Sequence, residues 1–231
     1  MNRLATGLGW YIMFLLSIVA HEAAHAFTAW RLGDRTAYEG GQVTLNPWPH
    51  VRREPVGTVL VPIVSYMVGG WMMGWASAPY DPQWARQFPR RAALMSFAGP
   101  AANLLIVLLS AALIRLGIAA GLFDTPHTLT FDHVVQSLRP GVLGAAAFLL
   151  SVAFSLNLLL FFFNLLPIPP LDGSGIYHLF SGTAGDRVNA VIRSPFVSYA
   201  GILLAWGLAY LLFPACHDVA IKLLYPWETY R

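Results

Sequence analysis

His21, Glu22 and His25 stand in the order His-Glu-Ala-Ala-His inside a long apolar run. Histidines four residues apart share one face of an α-helix, where two imidazoles can converge on one divalent cation, and zinc is the first expectation. Glu22, beside the first histidine, is placed in this motif to take a proton from a water molecule that the metal acidifies. That is the chemistry of a hydrolase. The alternative, three polar residues on a solvated helix face, fits poorly. Residues 7–30 are otherwise almost wholly apolar, and ionisable groups in such a setting are costly and usually functional.

Two histidines need a third ligand, and a candidate lies far downstream. The segment Asn164-Leu-Leu-Pro-Ile-Pro-Pro-Leu-Asp172-Gly173 closes an intensely apolar stretch. Pro167, Pro169 and Pro170 cannot continue an α-helix, so the backbone unwinds there. Unwound backbone at membrane depth is tolerated only where protein buries it or water reaches it. Such a break can aim a buried Asp172 at the same cation. His21, His25 and Asp172 would then bind one zinc ion per chain and leave a fourth position open for water. Asp172 ahead of Gly-Ser-Gly also reads as a helix N-cap, and only the upstream histidine pair favours the ligand. Asn103 and Asn164 are candidate site-lining residues, although spacing alone favours an interhelical hydrogen bond for Asn103. His50 reads as a structural or solvated loop residue, and Asp132 and His133, being adjacent, are poorly spaced for joint ligation.

Composition states what solvent the supporting elements meet. Hydrophobic residues are 57% of the 231 and charged residues 11%, with a mean hydropathy of +0.58. An ordinary soluble domain carries about 25% charged residues. The expectation is an all-α integral membrane protein, one polytopic domain over 1–231 with four to six transmembrane helices. Three core helices fall at about 7–31, 92–113 and 142–166, and a further span at about 196–213 is ended by Pro214. Arg3, the run Trp10 to Val19 and Ala24-His25-Ala26 imitate a cleavable signal peptide, but cleavage there would destroy the motif, so a retained first helix is expected. Gln42 to Leu45 suggests a short strand, Phe131 to Leu138 a short interfacial helix, and a short helix should follow Gly173. The net charge of +3 is thinly spread and gives no sign of nucleic-acid binding. Cys216 is the single cysteine, so there is neither an internal disulfide nor a thiolate zinc cluster.

With both motifs in view, the chain resembles the site-2 protease family of intramembrane zinc metalloproteases. His-Glu-Ala-Ala-His at 21–25, Phe-Ala-Gly-Pro-Ala-Ala-Asn at 97–103 and the proline-rich segment at 164–173 carry the resemblance. Thr44-Leu-Asn-Pro47 and Gly57-Thr58 bring it nearest to compact prokaryotic members without a PDZ domain. The resemblance implies zinc on His21, His25 and Asp172, Glu22 as general base, and cleavage of single-span membrane proteins within the bilayer. Members tend to carry Lys and Asn in the segment that here reads Gly74 to Pro82.

The apolar stretch 56–78 is long enough to cross but is interrupted by Pro62 and Gly69-Gly70. A single crossing would put Asn103 on the opposite side from the metal, so a re-entrant stretch is expected. Arg31, Arg35, Arg52, Arg53, Arg86, Arg90, Arg91, Arg187 and Arg193 then share the side of the motifs. Arg3, Arg115, Arg139, Lys222 and Arg231 lie on the other. The richer side should be cytoplasmic, in a prokaryotic cell membrane, with the site open to it. Tyr225, Trp227 and Tyr230 suit the interface, and His178 reads as interfacial rather than as a ligand. Two other readings are a metal transporter, which has no use for Glu22, and an inactive scaffold that binds membrane proteins, which has no use for a complete ligand set.

Overall fold

The computed structural model describes residues 3–179 and 194–228. Arg187, Arg193, Tyr230, Arg231 and the His178 side chain fall outside the described residues. The first helix, α1 (Arg3–Arg31), is followed by the short α2 (Thr36–Glu39) and α3 (Pro47–Arg53). Asn46 caps α3 by accepting from the Trp48 amide at 3.0 Å, with Pro47 in the first turn where its missing N–H costs nothing. A π-helical turn, Val56–Leu60, runs into α4 (Val61–Gly69). Then come α5 (Pro82–Gln87), α6 (Pro89–Ala119), strands β1 (Phe123–Asp124) and β2 (Gln136–Ser137), and α7 (Val142–Leu165). A 3-10 helix (Asp172–Leu179) and α8 (Pro195–Leu224) complete the order.

Among the described residues, α1, α6, α7 and α8 are the four helices long and apolar enough to cross a membrane. The protein is an all-α integral membrane protein, and the only sheet among the described residues is the antiparallel pair of two-residue strands. Helix α6 is central, lying along α1, α7 and the 3-10 helix. Small residues make the α1–α6 approach close: Ala26, Ala29 and Ala92 are almost wholly buried. Two apolar clusters flank the middle. One joins Trp10, Phe14 and Ile18 of α1 to Val152 and Leu156 of α7 and to Met72. The other joins Val107 and Ile114 of α6 to Phe154 and Leu158 of α7 and to Ile221 and Leu224 of α8.

Residues 56–78 form a hairpin. The helical arm Val56–Gly69 is about 21 Å long at 1.5 Å per residue, short of a membrane core of about 30 Å. It stops at Gly70, whose φ of 76° is open to glycine and strained for other residues. An extended arm then comes back. The Met73 amide donates to Ser65 Oγ (3.0 Å), the Trp75 amide to the Gly57 carbonyl (3.1 Å), and Ser77 Oγ to Glu54 Oε1 (2.7 Å). Residues 54 and 77 therefore meet, and the stretch begins and ends at the same end of the hairpin. Asp34, 3% exposed, holds the end of the returning arm: its Oδ1 accepts from the Thr36 amide and hydroxyl, and its Oδ2 from the Asp81 amide at 2.8 Å.

Four expectations are corrected. Gln42–Leu45 is not a strand: it has no strand to pair with, and Thr44 Oγ1 instead accepts the Asn46 amide in a local turn. Phe131–Leu138 is not helical, because Gln136 and Ser137 pair with Asp124 and Phe123 while Ser151 Oγ takes the amides of Val134 and Val135. Helix α6 runs on to Ala119, since Ile114 and Gly117 are buried against the second cluster and Phe123. Helix α8 continues through Pro214 to Leu224. A proline removes one helical hydrogen bond, but the turn beyond it is held by tertiary contacts: His217 bonds Ser155 Oγ at 2.9 Å and stacks on Phe131.

Candidate metal centre

Four residues apart on α1, the His21 and His25 rings meet edge to face with Nε2 atoms 3.0 Å apart. Each ring is held from behind. His21 Nδ1 donates to Asn103 Oδ1 at 2.6 Å, and His25 Nδ1 donates to the Met95 carbonyl at 2.7 Å, both partners lying on α6. With the ring protons on Nδ1, both Nε2 lone pairs point into the same small space. Asp172 points there too, its Oδ2 2.9 Å from His21 Nε2 and its Oδ1 3.3 Å from His25 Nε2. These are close approaches rather than hydrogen bonds, and Asp172 Oδ2 is accordingly buried without a donor.

Two lone pairs and a carboxylate at such distances repel one another unless a cation lies between them. Tetrahedral zinc with bonds of about 2.0–2.1 Å holds its ligand atoms roughly 3.3 Å apart, close to the spacings seen. Gly99 leaves the space open, for a Cβ there would press on Nε2 of both histidines. The donor set therefore fits a zinc ion. Together with His21 and His25, Glu22 offers a ligand atom within 4.8 Å of theirs.

The proline break delivers Asp172. Helix α7 ends at Leu165, Leu166 turns to extended backbone, and the Leu171 amide closes a tight turn on Ile168 O at 2.9 Å. Asp172 opens the 3-10 helix that follows, so it is an element-start residue whose carboxylate also faces the two histidines. Gly175 packs against Ser96 with no room for a Cβ, which brings this helix onto α6 beside the histidines. Glu22 is 6% exposed and lines a cavity of about 260 Å³ with His25, Ser96 and Asp172; residues 76–78 and Tyr80 of the returning arm form the opposite wall.

Asn103 makes the interhelical hydrogen bond that its spacing suggested, and its partner is His21 itself. The Asn164 amide donates to the Leu160 carbonyl one turn back. His50 is structural, 1% exposed and donating to the Thr44 carbonyl at 3.1 Å. Asp132 and His133 line a separate cavity of about 480 Å³ with Thr6 and Phe148, away from the centre. The sequence reading missed Ser17 and Asn157, which lie behind Asn103. The signal was present: Ser17 is one turn before His21, and Asn157 is an amide in the middle of an apolar span.

Helices of membrane-spanning length around a buried His-Glu-His cluster define a membrane protein of metallopeptidase type. The chain matches Peptidase family M50 over residues 10–208 and belongs to that family, the site-2 proteases. Among curated proteins, it is 36% identical over 163 residues to the candidate zinc metalloprotease YwhC of Bacillus subtilis, covering 70% of this chain and 64% of that one. It is 32% identical over 167 residues to the candidate zinc metalloprotease Rip2 of Mycolicibacterium smegmatis, covering 72% and 53%. With Rip2 of Mycobacterium tuberculosis the identity is 37% over 165 residues, covering 71% and 52%. The chain thus spans between half and two thirds of the length of these relatives. No solved structure matches it.

Proposed function

We propose that this chain is an intramembrane zinc metalloprotease that hydrolyses peptide bonds in or near the transmembrane segments of single-span membrane proteins. The observation that carries this reading is the convergence of His21 Nε2, His25 Nε2 and the Asp172 carboxylate beside a buried Glu22. His21, His25 and Asp172 would hold the ion. Zinc bound there supplies Lewis acidity, polarising the scissile carbonyl and acidifying a water molecule.

The other steps belong to the chain. Glu22 takes the proton of the attacking water and delivers it to the leaving amine, working in a cavity roomy enough to admit that water. A substrate helix keeps its amides hydrogen-bonded, so it must unwind before its carbonyl can be attacked. The hairpin at 56–78, whose returning arm walls the cavity, is suited to holding the unwound strand or gating its entry. Seven described arginines lie at the helix ends around the cavity (Arg31, Arg35, Arg52, Arg53, Arg86, Arg90 and Arg91). Against them stand Arg3, Arg115, Arg139 and Lys222 at the other ends, so the cavity opens to the cytoplasm.

The test compares the natural chain with Glu22→Gln for zinc content and for cleavage of a panel of single-span substrates in detergent. Equal zinc with cleavage only by the natural chain supports the proposal; a chain that binds no zinc sinks it. Labelling of single cysteines at 52 and 86 from opposite sides of the membrane would refute the topology.

A further inference from the structure

Behind His21 lies a set of polar side chains that no ligand role uses. Ser17 of α1, Asn103 of α6 and Asn157 of α7 are at most 1% exposed and meet where the three helices cross. Ser17 Oγ donates to the Met13 carbonyl at 2.6 Å, so its lone pairs remain free to accept. Asn157 Nδ2 donates to the Ala153 carbonyl and to Ser17 Oγ, each at 2.8 Å.

The direction of every bond in this set follows from backbone. The Ala153 carbonyl can only accept, so Asn157 must turn its amide nitrogen to it and its Oδ1 towards Asn103. Asn103 must then present Nδ2 to Asn157 Oδ1, at 2.8 Å, with its other proton directed towards the Ser17 carbonyl at 3.5 Å. That leaves Asn103 Oδ1 facing His21 Nδ1 at 2.6 Å, and an amide oxygen can only accept. His21 therefore carries its proton on Nδ1 and a lone pair on Nε2.

We propose that Asn157 is a positioning residue for the metal centre. Acting through Asn103, it locks His21 in the Nδ1-protonated tautomer and fixes the rotation of the ring, so that Nε2 faces His25 and Asp172. An Asn103 freed from Asn157 can flip its amide and offer N–H to Nδ1. That would drive the His21 proton to Nε2, the atom that must bind the ion. Partners behind a metal ligand are commonly worth about 10- to 100-fold in metal affinity. This inference rests on the reading that His21 holds the ion.

The experiment uses the purified full chain in detergent. Zinc affinity is measured by competition with a chromophoric chelator, and site geometry by the visible spectrum of bound Co(II). Asn157→Leu, which keeps the branching and heavy-atom count of asparagine without its polar atoms, should weaken zinc by about 10- to 100-fold and shift the cobalt spectrum. In Asn157→Leu combined with Asn103→Leu, the affinity should equal that of Asn103→Leu alone, because both act along one path. His21→Ala should abolish binding. A folded Asn157→Leu with zinc affinity within about twofold of the natural chain and an unchanged cobalt spectrum overturns the relay, as do fully additive losses in the double variant. If Asn157→Leu does not give a monodisperse protein, Asn157→Ser, too short to reach Asn103, is judged by the same criteria. Loss of zinc in His21→Ala beside an unaffected Asn157→Leu overturns the relay alone. Zinc retained by His21→Ala overturns the centre as drawn, and the relay with it.

Discussion

The amide of Trp75 donates to the carbonyl of Gly57 at 3.1 Å, and this bond joins the two arms of the hairpin beside the proposed centre. Gly57 makes the approach possible, since a Cβ there would press on the Trp75 carbonyl and indole. Gly57→Val should therefore separate the arms at a cost of about 1–3 kcal/mol, the usual range for overpacking. The expected outcome is a lower thermal midpoint and reduced cleavage, with zinc still bound at full stoichiometry. Metal analysis beside a cleavage assay checks it; a loss of zinc would show that the arms support the ligands as well.

Gly99→Ala places a methyl group in the space that the ligand atoms share. Alanine is a good helix former, so α6 should keep its helix while zinc affinity falls by about tenfold or more, a loss on the order of 1.4 kcal/mol or larger. Circular dichroism and metal analysis on the same sample test the two halves of this statement.

Replacing Glu22 with Gln keeps the size of the side chain and removes the base. Cleavage should fall by about 10²- to 10⁴-fold, the usual contribution of general acid–base groups, while zinc affinity changes little. Turnover measured at matched zinc occupancy decides this, and a variant with full activity would exclude Glu22 as the base.

Asp34 ties the end of α1 to the returning arm through Thr36 and Asp81. Asp34→Ala takes the acceptor from the exposed Thr36 and the half-buried Asp81 amide, a loss of about 0.5–1.5 kcal/mol. Hydrogen exchange should quicken at residues 78–82 and leave the middle of α6 unchanged. Uniform exchange across both would argue against a local fastening.

Removing the ion should itself destabilise the fold. Without a cation the Nε2 lone pairs and Asp172 oppose one another, and the gain from binding at 100 times the dissociation constant is about 2.7 kcal/mol. A chelator should lower the thermal midpoint of the natural chain and leave that of His21→Ala unchanged.

Much of the site was legible in the chain because its parts are local. The histidine pair and Glu22 belong to one turn of one helix, and the prolines before Asp172 break α7 whatever surrounds them. Asn164 shows the limit of such reading: standing in the motif says nothing about where an amide points, and this one donates to the Leu160 carbonyl. Asn157 escaped notice because an asparagine in an apolar span states a need for partners without naming them.

Spacing, apolar length and proline position, all properties within single elements, determined the four helices of spanning length, the face of α1 that carries His21 and His25, and the break that frees Asp172. The tertiary structure alone decided which groups meet across elements. It turned residues 71–81 back along α4, paired Gln136 and Ser137 with β1, carried α8 past Pro214, and set Asn103 between Asn157 and His21. The physical reason is that a buried polar group must find a partner, and which partner it finds depends on helices that lie far apart in the chain and touch only once folded.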